Sequence, residues 1–523
     1  MCVHAMTSST VTMLARVSML LLSGGALPAL GYSATPPPAS RASTAPAATT
    51  AGRKEQPIAI PWLIVGGGIH GVHISTRLLG SNVVGSVQDI CIVDDHDALL
   101  HSWKSRTQNT GMEYLRSSAG FHVGVAEDAL RMYGKGVQGG ARDLAGSTHR
   151  RPKVGEKKKK RKKRKAEVRT NHKKEQYFTN DYERPQLDFF NRHCDSVVAQ
   201  YRLDQIHTQG TVSKIEPCDE YVRVHVVLPG AERGRVYHAE NIVLALGNDV
   251  PSYADWVEDR DVRRGHVRHL LEIDDRAVLP HDQDTKKQCP SVAVVGGGIT
   301  AAHKVLELVR GDPAPASIHL ISRHPLREQQ FDTHQEWMMD RAAAGRSKEG
   351  GGHGLPRRQL AFQQCGCRKE RRQIIARERI PGTVTSAVNR GKDGLQYAIA
   401  KGAVQWHQAE IIKKTYTAGK DGEDTGQLEL TLSCGDTLRV DQVLLATGFG
   451  KKVPGGAMLQ DLIQCGNLQV SEFCGYPIVD EHLRWKERIY VAGPLAELEV
   501  GPSARNIAGA RLAAERIIQA FVG

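Results

Sequence analysis

The feature that most constrains this chain is Trp62-Leu-Ile-Val-Gly-Gly-Gly-Ile-His-Gly71, an apolar run that breaks into spaced glycines. Ala59 to Val65 reads as a buried strand and Ile69 to Leu79 as the helix that follows it. Between them Gly66, Gly68 and Gly71 form G-x-G-x-x-G. The first glycine allows a tight turn, the second lets a pyrophosphate approach the backbone, and the third lets helix and strand pack closely. The helix start, with Ile69 and His70, adds unpaired N–H groups and the positive end of the helix dipole. A second apolar strand, Asp89-Ile-Cys-Ile-Val93, ends at Asp94-Asp95. An acid there can accept hydrogen bonds from a ribose hydroxyl. The plain alternative is an ordinary glycine-rich turn, and the acid-ended strand weighs against it.

The pattern recurs. Val292 to Val295 reads as a strand, Gly296-Gly-Gly-Ile-Thr-Ala301 gives G-x-G-x-x-A with Thr300 beside its last position, and a helix runs on to Arg310. The next strand, Ser317 to Ser322, ends in Arg323-His324, with Arg327 close by. A basic group at that place suits the 2′-phosphate of NADP, where an acid favours NAD. The competing reading has these arginines cover the sheet edge. The fold class expected is α/β with two Rossmann-like dinucleotide-binding domains, the first suited to FAD and the second to NADPH.

With 523 residues, 40% of them hydrophobic, the chain can build more than one core. The net charge of +13 is local. Arg151 to Lys174 holds fourteen Lys/Arg against Glu156 and Glu167, which is 14 − 2 = +12. The run Lys157 to Lys165 repels itself and buries nothing, so it reads as a disordered insertion. A solvated loop, a nuclear localisation signal and a polyanion-binding tail are its readings. The ten cysteines include no C-x-x-C pair, only Cys365-Gly-Cys367, so neither a disulfide framework nor a zinc site is expected, and no metal.

Residues 1 to 54 lack Asp and Glu and contain the apolar run Ser18 to Leu30, followed by a segment rich in Ala, Ser, Thr and Pro. That composition reads as a removable leader: signal-plus-transit targeting to a plastid, plain secretion, or a mitochondrial presequence. The apolar run is short and broken by Gly and Pro, so no membrane span is expected in the mature chain.

Trp103 to Met112, including Gln108, mixes aromatic, amide and basic groups without a period. It reads as a loop lying against a ring system, or as a surface loop with Trp103 and Met112 packed. Leu187 to Tyr201 has helical spacing, and Val212 to Ile215, Val222 to Leu228 and Arg235 to Glu240 alternate as antiparallel strands. Three buried strands end at glycine: Asn241 to Asn248 with Gly247, Val440 to Gly450 with Gly448, and Arg488 to Pro494 with Gly493. Arg341 to Arg379 reads as a charged loop. Gly501 to Asn506 opens a final helix, with Pro502 in its first turn. The N-terminus of that helix is placed to steady negative charge on a reduced flavin.

These motifs together resemble the two-dinucleotide flavoproteins, and among them the flavin-dependent N-hydroxylating (lysine/ornithine) monooxygenases. The carriers are Gly66 to Gly71, Trp103 to Met112, Gly296 to Ala301, Ala446-Thr-Gly448 and Gly493 to Asn506. The resemblance implies an NADPH domain at 288–435 inserted into an FAD domain made of three segments, 55–133, 177–287 and 436–523, with the basic insertion at 134–176. It implies non-covalent FAD reduced by NADPH, and O2 activated as a flavin C4a-(hydro)peroxide that hydroxylates a small amine or other nucleophile. The flavin does the difficult chemistry, so no nucleophile–base constellation is needed. The chain departs from the pattern at Gly493-Pro494, where many relatives carry Gly-Asp, and only the backbone role transfers. His70 either tunes the flavin or packs beside the phosphates. A disulfide reductase would need a cysteine pair that is absent here. A binding protein that keeps the cofactors without turnover is the alternative from another class.

Overall fold

The computed structural model describes residues 56–136, 184–231, 234–248, 250–273, 289–338, 356–418 and 424–522. The leader and the Lys157–Lys165 run lie outside the described residues.

The chain opens with β1 (Ile58–Val65), α1 (Ile69–Gly80) and β2 (Ile90–Asp94), a strand–helix–strand unit over the first glycine loop. α2 (His101–Asn109) and α3 (Leu187–Gln200) follow, then β3 (His207–Gln209), β4 (Thr211–Pro217), β5 (Val222–Val227) and β6 (Arg235–Leu244). β1 pairs in parallel with both β2 and β6, and Trp62 to Val65 are buried, as expected of a strand covered on both faces. β6 is long because one edge serves β1 along its whole length. Its other edge is shared, antiparallel with β5 in its first half.

The second half of the molecule begins at β7 (Val267–His269) and continues through β8 (Ser291–Val295), α4 (Ile299–Arg310) and β9 (Ser317–Ser322). Then come α5 (Arg357–Gln364), α6 (Arg368–Glu378), α7 (Ser386–Arg390), α8 (Leu395–Ala400), β10 (Gln405–Gln408) and β11 (Gln442–Leu445). The parallel sheet runs β10-β9-β8-β11-β7. A three-stranded antiparallel sheet, Ile411–Ala418, Asp424–Leu432 and Thr437–Val440, covers one face, packing Leu428, Leu430 and Val440 on Ala293, Val443 and Leu445. The chain then returns to the first sheet with β12 (Arg484–Lys486) and β13 (Ile489–Val491), giving the order β12-β13-β6-β1-β2-β3. It ends in α9 (Ile507–Val522), which packs along α1. The second unit is therefore inserted in the first.

Four expectations need correction. The inserted unit is wider than 288–435: β7 and β11 belong to its sheet, because β11 pairs with β8 on one edge and β7 on the other. Trp103 to Met112 is not a loop but largely α2; its side chains are polar because they bridge the two halves, which hides the helical period. Arg106 Nε donates to Leu271 O (3.0 Å) and Asn109 Nδ2 to Glu272 O (2.9 Å). The 341–379 stretch contains α5 and α6, buried at Phe362 and Ile375 against Trp337, Tyr476 and Leu498. Pro502 precedes the last helix instead of lying in its first turn; Asn506 caps it, its Oδ1 accepting from Gly509 N (2.9 Å).

Candidate functional site

The two glycine loops are built alike. Gly66 has φ 109° and Gly296 φ 147°, the left-handed side that favours glycine. A Cβ on Gly66 would come 2.7 Å from the carbonyl oxygen of Ala245, and one on Gly296 2.6 Å from that of Ala446. Gly66 N donates to Val93 O and Gly296 N to Ile321 O (2.8 and 2.9 Å), tying each loop to the second strand of its unit. Ala245 N and Ala446 N return hydrogen bonds to Val65 O and Val295 O (2.9 and 2.8 Å). Each unit thus braces its loop with a strand-ending Ala-x-Gly, Ala245-Leu-Gly247 and Ala446-Thr-Gly448. Ala446-Thr-Gly448 is among the sequence motifs, but neither alanine carries a role there; the repeated Ala-x-Gly at Ala245 and Ala446 is the signal that points to it.

Where a phosphate must approach, the backbone is open. A Cβ on Gly68 meets nothing within 4 Å, and one on Gly298 meets only the Gly382 backbone, at 3.4 Å. Each of these glycines is the residue before a helix, α1 or α4, whose first N–H groups have no partner within the helix. Such a cradle fits a pyrophosphate.

Asp94 stands at the tip of β2 beside the first loop. Its Oδ2 accepts from Gly67 N (2.6 Å), and its Oδ1 from His96 N (3.0 Å). The carboxylate therefore orders the loop, and a carboxylate has lone pairs to spare for a ribose hydroxyl. At the tip of β9 the chemistry is reversed: Arg323 and His324 are exposed, the Arg323 guanidinium lies 3.8 Å from Glu410, and Arg327, also exposed, follows in a short strand, Arg327–Glu328, that pairs with Thr383–Val384. The acid-tipped unit and the base-tipped unit are both in place.

His70 is half-buried at the start of α1, and its Nε2 lies 3.0 Å from Ala504 O. A carbonyl only accepts, so Nε2 carries the proton. Burial pulls the imidazole down to about 4, so the ring is neutral at pH 7 and Nδ1 is an acceptor. The ring also faces Gly493, which has φ 63°; a Cβ there would lie 3.7 Å from it. His70 thus joins the first glycine loop to the Gly493–Asn506 segment.

Trp103 donates from Nε1 to Asn191 Oδ1 (2.9 Å) and packs on Phe190, Met112 packs on the core, and Gln108 is exposed. The link from this stretch to the first loop is backbone, Leu100 N to Gly67 O (2.8 Å). Thr300 lies in the first turn of α4, and Ala301 is buried beneath the second loop. Gly448 has φ 78° and sits with the second unit, where Ser252 N donates to its carbonyl (2.8 Å).

Beside the loop that follows β6 lies a buried charge network with no local sequence signal. Glu497 is fully buried and pairs with Arg372, Arg379 (3.2 Å) and Arg505 (2.7 Å). Burial raises its carboxyl, but Arg505, Arg379 and Arg372 outweigh that and hold it at about 2. Arg505 also donates to Asn248 Oδ1 (2.8 Å) and to the Tyr476 hydroxyl (2.7 Å). The network fixes Asn248, one residue past Gly247, against the chain leading into α9.

An ornithine N-hydroxylase from Kutzneria sp. 744, solved with reduced FAD, NADP+ and L-ornithine, superimposes with TM-score 0.57 over 88% of this chain and 99% of that one, at 16% identity. The fold is that of the flavin-dependent N-hydroxylating monooxygenases. The reduced ornithine hydroxylase of Pseudomonas aeruginosa shares it (TM-score 0.58, 15% identity, 89% and 99% covered), as does the L-lysine 6-monooxygenase of Pseudomonas syringae (0.54, 14%, 88% and 99%). A family model, L-lysine 6-monooxygenase/L-ornithine 5-monooxygenase, matches residues 168–336. No curated protein matches the chain in sequence. Among the described residues no group of three His, Cys, Asp or Glu is placed to hold a metal, and no helix is long and apolar enough to cross a membrane.

Proposed function

We propose that this protein is an FAD- and NADPH-dependent monooxygenase that hydroxylates a small amine or a related nucleophile. The observation that carries the reading is the pair of matched cradles with opposite tips: Asp94 beside the Gly66–Gly71 loop, and Arg323 with Arg327 beyond the Gly296–Ala301 loop. Bound FAD would supply hydride acceptance and oxygen activation. The chain's own residues do the rest. Gly68 and the start of α1 receive the FAD pyrophosphate, and Asp94 takes the ribose. Gly298 and the start of α4 receive the NADPH pyrophosphate, and the two arginines take the 2′-phosphate. Neutral His70, held by Ala504, and Asn248, held by Arg505, shape the wall where these segments converge. The experiment is reconstitution with FAD followed by anaerobic mixing with NADPH or NADH. Bleaching of the flavin by NADPH, much faster than by NADH, supports the reading; a protein that takes up no flavin contradicts it.

On composition alone, we also read residues 1–54 as a targeting leader directed to a plastid. The N-terminal sequence of the mature protein tests it: a start near residue 55 supports cleavage, and an intact Met1 terminus contradicts it.

A further inference from the structure

Arg116 belongs to the first half and is fixed at its base. Leu115, beside it, is buried in the first core, and its N–H donates to Pro185 O (3.0 Å). From there the Arg116 guanidinium reaches into the second half. Its Nε donates to Gln330 O (3.0 Å), and its Nη2 to Gln329 O (3.0 Å) and Thr383 Oγ1 (2.8 Å). These acceptors sit on one element. Arg327–Glu328 and Thr383–Val384 pair as a two-stranded ribbon, and Gln329 N extends the pairing to Val384 O (2.9 Å). A single guanidinium therefore holds both strands of that ribbon. All three acceptors are neutral; what a planar fork adds over a point charge is direction. Burial works against the Arg116 charge, and Asp332 supports it.

The ribbon carries Arg327 in its first strand, and its second strand follows directly on Gly382. Gly382 has φ 70° and stands against the second glycine loop: a Cβ on Gly298 would lie 3.4 Å from its Cα. The turn that walls the NADPH cradle and the base assigned to the 2′-phosphate are thus parts of one ribbon. Its position has few other determinants. Within the second half, Glu328 accepts from Asn389 Nδ2 (2.7 Å) and Arg390 Nε (2.5 Å). Just before the Gly382 turn, Arg379 donates to Pro502 O (2.9 Å) and Glu497 (3.2 Å).

We propose that Arg116 is a positioning residue for the nicotinamide nucleotide, acting through the ribbon to hold the Gly382 turn against Gly298 and Arg327 beside the cradle. The inference rests on the NADPH reading above and deepens it, because it gives the first half a part in a site built by the second. The pyrophosphate is common to NADPH and NADH, so a loosened Gly382 turn weakens both. Loss of Arg323 and Arg327 acts on NADPH alone.

The test is calorimetric binding of NADP+ to the FAD-loaded protein, beside KM and kcat with each reduced nucleotide. Arg116→Ala is expected to weaken NADP+ binding about tenfold or more and to raise KM for NADPH and NADH together, with flavin content retained. Thr383→Val keeps the side-chain shape and removes one acceptor, together with a long bond to Ile380 O (3.3 Å). It is expected to weaken NADP+ binding about threefold, and the double variant to lose less than the two single losses combined. If Arg116→Ala does not fold, Arg116→Lys takes its place, keeping the charge and losing the fork. Wild-type protein that binds no NADP+ removes the NADPH reading and this inference with it. Wild-type binding with unchanged NADP+ affinity in the Arg116 and Thr383 variants, whatever their melting temperatures, overturns this inference alone.

Discussion

Gly66 and Gly71 close on one another so tightly that a Cβ on Gly71 would overlap the Gly66 carbonyl oxygen. The matching place in the second unit holds Ala301, buried and accommodated. Gly71→Ala is therefore expected to destabilise the protein by about 1–3 kcal/mol through overpacking. Ala301→Gly is expected to cost only about 0.5–1 kcal/mol, the usual helix penalty. Thermal unfolding of the two variants checks the asymmetry; equal losses would mean the loops differ from this description.

Gly68 separates binding from folding. Its missing Cβ faces open space. Gly68→Val is expected to keep the melting temperature of the flavin-free protein and to lose most of its flavin, because the side chain occupies the line of approach to the backbone. Flavin content per chain after reconstitution is the readout. Normal flavin content would displace the pyrophosphate from this loop.

Arg323, just past the end of β9, and Arg327, in the short Arg327–Glu328 strand that pairs with Thr383–Val384, both have exposed side chains, so replacing them disturbs no core. Arg323→Ala with Arg327→Ala is expected to raise KM for NADPH about tenfold or more with little change in kcat, while NADH kinetics stay the same. Equal kcat/KM for NADPH and NADH in the wild type would remove the basis for the assignment.

The Glu497 network predicts both a mutational and an acid effect. Glu497→Gln leaves Arg372, Arg379 and Arg505 crowded without their counter-charge, an expected loss of about 3–5 kcal/mol. The folded carboxyl sits at about 2, below its unfolded value, so its contribution is present above the ordinary carboxylate range and lost as pH falls toward 2. Denaturant titration of the variant at neutral pH is the check.

Buried histidines set a second window. Burial, chiefly, lowers His70, His193, His269 and His303 to about 4 and His122 to about 3. The unfolded chain binds protons near the ordinary histidine value and the folded chain does not, so stability is full above that value and falls as pH drops toward 4. Unfolding at pH 5.5 is expected to take up protons, measurable by calorimetry in buffers of different ionisation enthalpy. No net uptake would contradict the neutral assignment of these rings.

Elements whose pattern is local were legible in the sequence. The strands at Ala59–Val65 and Val292–Val295, their helices and the antiparallel Val212–Glu240 strands fall where their periodicity puts them. α2 was not legible, because Arg106 and Asn109 are chosen for partners in the other half and not for a buried face. α5 and α6 were hidden for a similar reason: Arg371 and Arg372 are anchored by Glu499 and Glu497, far along the chain. The membership of β7 and β11 depends on pairing between distant segments, which no single stretch records. Asn248 and Arg505 meet across 257 positions, so that region of the candidate site is visible only in three dimensions.

The most direct test of the central claim is hydroxylamine formation by the FAD-loaded protein with NADPH and oxygen across a panel of small amines and amino acids, measured beside hydrogen peroxide. The account predicts an amine whose addition produces hydroxylamine in step with NADPH consumed and lowers the peroxide released. Consumption of NADPH with every electron pair recovered as peroxide, whatever amine is present, would contradict it.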